Sequence, residues 1–202
     1  MSNLILDILD KTKLQRLRLS SIDCVEIDEQ FDEVLKDQRV MPHLHLSIQS
    51  GDDMILKRMK RRHNSKDVFE FVEHCKKIRE DVSFGADIIA GFPTETDEMF
   101  DNTYRLLKKN EISHLHIFPF SPKNNTPASR MPQVSKLIIK KRAKNLRELG
   151  ELILKKVKSK LFLPREVLIE ELNLGLAVGY DQNYIKHKVP LVGVPVGEIV
   201  RV

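Results

Sequence analysis

Cysteine is scarce in this 202-residue chain: only Cys24 and Cys75 are present, too far apart to form a CxxC-like cluster. That spacing encodes no disulfide framework and no zinc or iron–sulfur site. Each thiol is expected to be inert and buried, and no metal ligand is assigned. Long apolar runs are lacking too, as is a charged-then-apolar leader, so no membrane span is expected and a cytoplasmic protein is the default. The excess of one charge sign is small, a formal net charge of +5. It is concentrated in residues 57–63 (KRMKRRH) and 135–160, the second stretch holding ten Lys/Arg against only Glu148 and Glu151. Solvated helix faces often carry lysines without using them, but two such stretches in a small protein also fit a nucleic-acid partner.

What the chain does have is alternation. Residues 2–13 place Leu4, Ile5, Ile8 and Leu9 on one face of a short helix. Residues 14–21 (LQRLRLSS) then point Leu17 and Leu19 one way and Arg16, Arg18 and Ser20 the other. A second helix over residues 28–37 is expected to end at residues 39–42 (RVMP). Residues 43–49 set Leu44, Leu46 and Ile48 against His43, His45, Ser47 and Gln49. Ser50 is the expected N-cap of the helix after them, with Asp52 and Asp53 in its first turn. After a helix over residues 65–79, residues 84–90 oppose Ala86, Ile88 and Ala90 to Asp87 and Ile89. A helix from near Thr96 to Asn110 leads to residues 112–118, with His114, His116 and Phe118 opposite Leu115 and Ile117. A proline-rich loop and the long basic helix follow.

Helices separate all four strands, so the sheet should be parallel and the fold α/β. Flat parallel sheets covered on both faces read as continuous apolar runs, whereas each strand here keeps one polar face. A barrel explains both facts, with apolar residues under the helices and a lumen lined by Arg16, Arg18, Ser20, His43, His45, Gln49, Asp87, His114 and His116. Taken singly, each of these is equally a satisfied core polar group or a salt-bridge partner. After Leu163-Pro164 the texture changes to short β-like runs punctuated by Gly, Asn-Tyr and Pro. The expected organisation is residues 1–160 as the barrel part and 161–202 as a small all-β, OB-like appendage of the kind that binds RNA.

Two stretches share one grammar of strand, small-residue turn and helix opening: HLHLSIQSGDD (43–53) and FGADIIAGFPTET (84–96). With RLRLSSID (16–23) and HIFPFSPKNNTPASRMPQV (116–134), they form consecutive blocks in which the sequence resembles the radical S-adenosylmethionine tRNA methylthiotransferases. The resemblance spans residues 14 to about 160, and the C-terminal segment resembles that family's TRAM domain. The basic KRMKRRH form and the FPTET turn lean towards the branch acting on threonylcarbamoyladenosine rather than on isopentenyladenosine.

The resemblance implies the last four strands of a partial (βα)6 TIM-like barrel. In the family, a CxxxCxxC motif after the first strand holds an iron–sulfur cluster, and a preceding domain holds a second. The first cluster cleaves S-adenosylmethionine to a radical that abstracts hydrogen from the target adenine. Neither that motif nor that domain is in this sequence, and Cys24 and Cys75 do not stand at ligand positions. The expectation is a portion inactive alone, completed by a separate or missing N-terminal polypeptide that carries the clusters. The alternative is a non-catalytic tRNA-binding or vestigial fragment. An aldolase-type barrel is set aside, because no Schiff-base lysine stands out at a strand end.

By the same resemblance Gln49, Ser50, Gly51, Asp87, Gly91, Phe92 and Pro93 lie on the S-adenosylmethionine side. Free amides at the helix starts suit a carboxylate, Gln49 and Asp87 suit hydroxyl or amino groups, and the glycines let backbone approach a ligand. Ordinary turn geometry explains the glycines equally well. Phe92, Phe118 and Phe120 either wall an adenine or pack the core. His43, His45, His116, Phe120, Arg130, Lys141, Arg142 and Tyr184 are the candidates for substrate or tRNA contact, Tyr184 by stacking on a base. No catalytic residue is assigned.

Overall fold

In the computed structural model, residues 1–161, 164–173, 175–190 and 193–202 are described. The expected alternation produces a four-stranded parallel sheet in the order β1-β2-β3-β4: Leu17–Ile22, Val40–Gln49, Ser83–Ala90 and Ile112–Pro119. Leu44, Leu46, Ile48, Phe84, Ala86, Ile88 and Ala90 are buried on its apolar face. Five helices, α1 (Ser2–Lys11), α2 (Phe31–Lys36), α4 (Ser65–Ile78), α5 (Asp97–Lys109) and α6 (Lys136–Lys160), contribute to the same core, and a short α3 (Asp53–Arg58) opens the β2–α4 connection. No helix among the described residues is long and apolar enough to cross a membrane.

Local chemistry sets the boundaries, and several differ from expectation. β1 begins at Leu17, leaving Leu14 exposed. Residues 40–42 do not end a helix; they open β2, with Pro42 inside the strand. Ser50 does not cap α3. Asp52 does, accepting from the Ile55 amide, because an acidic side chain one residue before the helix reaches the unpaired amides best. Asn64 and Asp67 form a capping box on α4, and Thr96 caps α5 by accepting from the Met99 amide. Helix α6 runs along β4 on a stripe of Ile139, Ala143, Leu146, Leu149 and Ile153. At Gly150 a Cβ would lie 3.3 Å from Leu115, so its missing side chain admits the strand.

Beyond α6 the chain forms a second, antiparallel sheet in the order β7-β6-β5-β8: Lys186–Val189, Leu176–Tyr180, Glu166–Asn173 and Ile199–Arg201. The anticipated change of texture at Leu163 falls outside the described residues. Among the described residues, the buried cluster of this sheet is Val167, Ile169 and Ala177, with Val194, Val200 and Val202 packed on it. Such a core is too small to hold a sheet alone. Support comes from the β6–β7 loop, which docks on the amino ends of the parallel strands. Asn183 donates from Nδ2 to the Pro42 carbonyl at 3.0 Å and to the Asp81 carbonyl at 2.6 Å. His114 donates from Nε2 to the Tyr184 carbonyl at 3.1 Å, and Arg16 donates to the Glu166 carbonyl at 3.0 Å. Asp181 organises the loop from inside, accepting from the Asn183 and Ile185 amides, Arg165 and His187.

Asn183→Ala removes both amide donors and leaves two strand-end carbonyls without them. Its expected cost is about 1–3 kcal/mol, read as a lower urea midpoint with faster proteolysis after Lys160. An unchanged midpoint and digestion pattern would show that the docking contributes nothing.

Candidate functional site

The polar face of the parallel sheet is layered by its register, in which His45 lies beside Gly85 and Gly85 beside His114, while Asp87 pairs with His116 and Ile89 with Phe118. The middle layer holds the densest chemistry. His45 Nε2 lies 2.9 Å and His116 Nδ1 3.3 Å from the same Asp87 Oδ1, and the two rings are 4.5 Å apart. His45 is nearly enclosed, whereas His116 has 58% of its side chain exposed. One carboxylate oxygen thus joins an enclosed and an open imidazole, an arrangement that can pass a proton to a group at the His116 ring. Gly85 makes the layer possible, since a Cβ there would come within 2.6 Å of His45 Nδ1. Sequence reading passed over Gly85; its place mid-strand between two histidine strands was the available signal.

Below, the floor is closed by the docked loop. Tyr184 stacks on His43 at 5.4 Å and on Tyr180 at 4.6 Å, with the Arg18 guanidinium 4.3 Å from its ring centre. Tyr184, read from sequence as a base-stacking residue, is therefore committed to packing between the two sheets, at a left-handed φ of 62°. Burial, then neighbouring His114 and Arg18, pushes His43 down to about 2. Burial also pushes His114 down to about 4, against the Tyr184 carbonyl that favours its proton. Both rings are neutral near pH 7.

Above, at the carboxyl ends of the strands, a cavity of about 470 Å³ is lined by Gln49, Ile89, Phe118, Phe120, Ser121 and Lys123, among others. Gln49 sits at φ 68°, a conformation that non-glycine residues take where the surroundings hold them. Phe92 is buried edge-on against Phe120, ring centres 5.4 Å apart, and so supports that wall from behind.

The two βα turns serve packing. The Gly51 amide donates to Thr103 Oγ1 at 2.9 Å, and a Cβ on Gly51 would meet the Thr103 Cα at 2.6 Å. Ser50 is buried, with its hydroxyl 3.3 Å from that of Thr103 and accepting from the Asp52 amide. Gly91, at φ 75°, gives its amide to Glu95 Oε2, and a Cβ there would strike Ile139 at 2.4 Å. Pro93 is buried in the same turn. Ser50, Gly51 and Gly91 thus have their small size and polar atoms committed to α5, α6 and the turns themselves. The free amide expected after Ser50 is already taken.

Arg142 is also placed otherwise than expected. It lies on the buried stripe of α6, 5% exposed, donating to Glu95 Oε2 at 2.7 Å and to Asp97 at 2.7 Å. A guanidinium so engaged presents nothing to a phosphate. Its partner Glu95 was missed from sequence; burial raises its carboxyl, and Arg142 and the Gly91 amide oppose that. Lys141 and Arg130 remain exposed. Of the residues singled out from sequence, Gln49, Asp87, His116 and Phe120 share the open part of the polar face, with His45 enclosed beside Asp87.

The radical SAM superfamily profile matches residues 5–107. The chain belongs to the radical SAM superfamily. Within the superfamily it is 50% identical over 182 residues to the threonylcarbamoyladenosine tRNA methylthiotransferase MtaB of Rickettsia prowazekii, covering 87% of this chain and 41% of that protein. It is 40% identical over 190 residues to the MtaB of Thermotoga maritima, covering 91% and 43%. A tRNA-2-methylthio-N(6)-dimethylallyladenosine synthase of Ehrlichia canis is 36% identical over 138 residues, covering 67% and 31%. The chain spans about two-fifths of the length of these MtaB relatives. Among solved structures, the radical SAM enzyme coproporphyrinogen III oxidase of Escherichia coli superposes with a TM-score of 0.58 at 16% identity, covering 88% of this chain and 48% of that one. That likeness concerns the fold.

An iron–sulfur cluster of the superfamily kind needs several thiolates in close array, and residues 1–202 do not fit one. They hold two cysteines; Cys75 is fully buried in the apolar core, and burial pushes both thiols up to about 12.

The neutral histidines make the fold acid-sensitive. Their folded values lie below the ordinary 6.5, so the unfolded chain takes up protons that the folded chain refuses. Stability is full above that value and falls as pH drops from it, through about 4 for His114 and on to about 2 for His43. At pH 5 each ring should have cost about 2 kcal/mol. Urea midpoints at pH 7.5 and 5 test this, and His43→Gln should narrow the gap. Equal midpoints would contradict it.

Proposed function

We propose that this chain is the substrate-facing portion of a radical SAM methylthiotransferase that modifies threonylcarbamoyladenosine in tRNA. The observation that carries the reading is the 50% identity to a threonylcarbamoyladenosine tRNA methylthiotransferase over most of the chain. Residues 1–160 form the partial barrel, residues 161–202 a TRAM-like module, and the protein is cytoplasmic. S-adenosylmethionine supplies the radical and methyl chemistry of such enzymes when bound. The cavity above the His45–Asp87–His116 layer is the place that suits it, open at the carboxyl ends of the strands as in other α/β sites. There Gln49 binds hydroxyl or amino groups, Asp87 does so from the layer below, and Phe118 and Phe120 give a purine an apolar wall. His116 offers its exposed ring to the substrate and exchanges a proton through Asp87 with His45. The thiolates for a cluster come from sequence outside these residues, so the chain alone is inactive.

The tRNA surface is assigned to the exposed side of α6, where Lys136, Lys140, Lys141 and Lys144 face solvent, and to Arg130 in the turn before it. Arg142, Tyr184 and His43 are left out of that surface, because each is used within the fold.

Two measurements test the reading. Fluorescence anisotropy with tRNA should show binding that weakens steeply with salt, and Lys140→Glu with Lys141→Glu should reduce the slope by about two counterions. Absence of binding at low salt, or binding indifferent to salt, would remove the tRNA assignment. Anaerobic reconstitution with iron and sulfide should leave the chain without a stoichiometric cluster; one cluster per chain would overturn the claim that its ligands lie elsewhere.

A further inference from the structure

At the carboxyl end of β1, outside the site described above, three side chains distant in sequence meet. Asp23 and Cys24 follow the strand directly, and His63 stands just before the cap of α4. Their ligand atoms, a carboxylate oxygen, the Cys24 sulfur and a ring nitrogen of His63, all lie within 4.8 Å of one another. His63 is 3% exposed, and its Nε2 is 3.0 Å from the Ile48 carbonyl. A carbonyl only accepts, so Nε2 carries the proton. The neutral ring then presents a bare lone pair at Nδ1, and that buried atom has no hydrogen-bond partner.

The geometry around Nδ1 is informative. Asp23 Oδ1 lies 3.4 Å away, so two acceptors face each other with no proton between them. Two ligands of one tetrahedral metal stand in that relation. With metal–nitrogen and metal–oxygen bonds of about 2.0–2.2 Å they are about 3.4 Å apart, and each points at the metal rather than at the other. Behind them, His63 gives its second ring N–H to a backbone carbonyl, the support that metal-binding histidines commonly have. Arg61 holds the other carboxylate oxygen, Oδ2, at 3.2 Å and the Ser47 carbonyl at 2.8 Å, which orients Oδ1 towards the ring.

We propose that Asp23, Cys24 and His63 form a binding site for a zinc-class divalent cation. One thiolate, one imidazole and one carboxylate suit a borderline metal, with a fourth position open to water. As the metal–sulfur bond forms, the Cys24 thiol releases its proton to solvent. The site ties the end of β1, an edge strand, to the α3–α4 loop across the end of β2. It is independent of the methylthiotransferase reading.

Cobalt(II) added to the full 202-residue chain under reducing conditions is the direct probe. The expected result is one cobalt per chain, with a thiolate-to-cobalt charge-transfer band in the near ultraviolet that zinc abolishes. Cys24→Ser should lose the band and Cys75→Ser should keep it, both with unchanged circular dichroism. His63→Gln should bind cobalt at least about tenfold more weakly. No band at stoichiometric cobalt, or a band that survives Cys24→Ser, overturns the proposal.

Discussion

Everything in the molecule follows from the pairing of four parallel strands whose side chains alternate strictly between two environments. Leu44, Leu46 and Ile48 on β2, with Ala86, Ile88 and Ala90 on β3, anchor the helices, and each is at most 2% exposed. The same strands must then send His43, His45, Gln49 and Asp87 the other way. A parallel sheet normally covers both faces, so a polar face is a cost unless its groups are paired or used. Here the lower part is paired and the upper part is open. The loop from the second sheet closes the floor with Tyr184 and Asn183, while the cavity at the carboxyl ends remains.

That division separates residues of similar type by their work. His43 and His114 are neutral structural rings, held so by burial. His45 and His116, on the same strands and the same face, share a carboxylate, and His116 reaches the open side. The buried Glu95–Arg142 pair acts comparably for the helices, locking the turn after β3 to α6. Breaking such a pair by removing one partner is far more harmful than the pair is stabilising, because it strands a buried charge.

Strand identity, parallel order and the split of each strand into two faces were all legible in the sequence, because period-two alternation is a local signal. The polar lining was legible for the same reason. Long-range commitments were not. Arg142 looked like one more lysine-type charge on a basic helix, and only the packing stripe through Ile139, Ala143 and Leu146 shows that it turns inward. Tyr184 read as a base-stacking residue until the second sheet placed it under His43. Ser50 and Asp52 were both acceptable caps by residue type, and the backbone chose the acidic one. The approach of His63 to Cys24 was not legible either, because ligand spacing is sought within a few residues and His63 comes from another loop.

The central claim is that the His45–Asp87–His116 layer and the cavity above it form the binding wall for the cofactor and substrate nucleoside. The most direct test is histidine side-chain NMR of the chain during titration with S-adenosylmethionine. Saturable shifts at His45 and His116, with His74 on the outer surface unmoved and the response lost in Asp87→Asn, are the predicted result. Unchanged His45 and His116 resonances at saturating ligand, or equal shifts at His74, would contradict it.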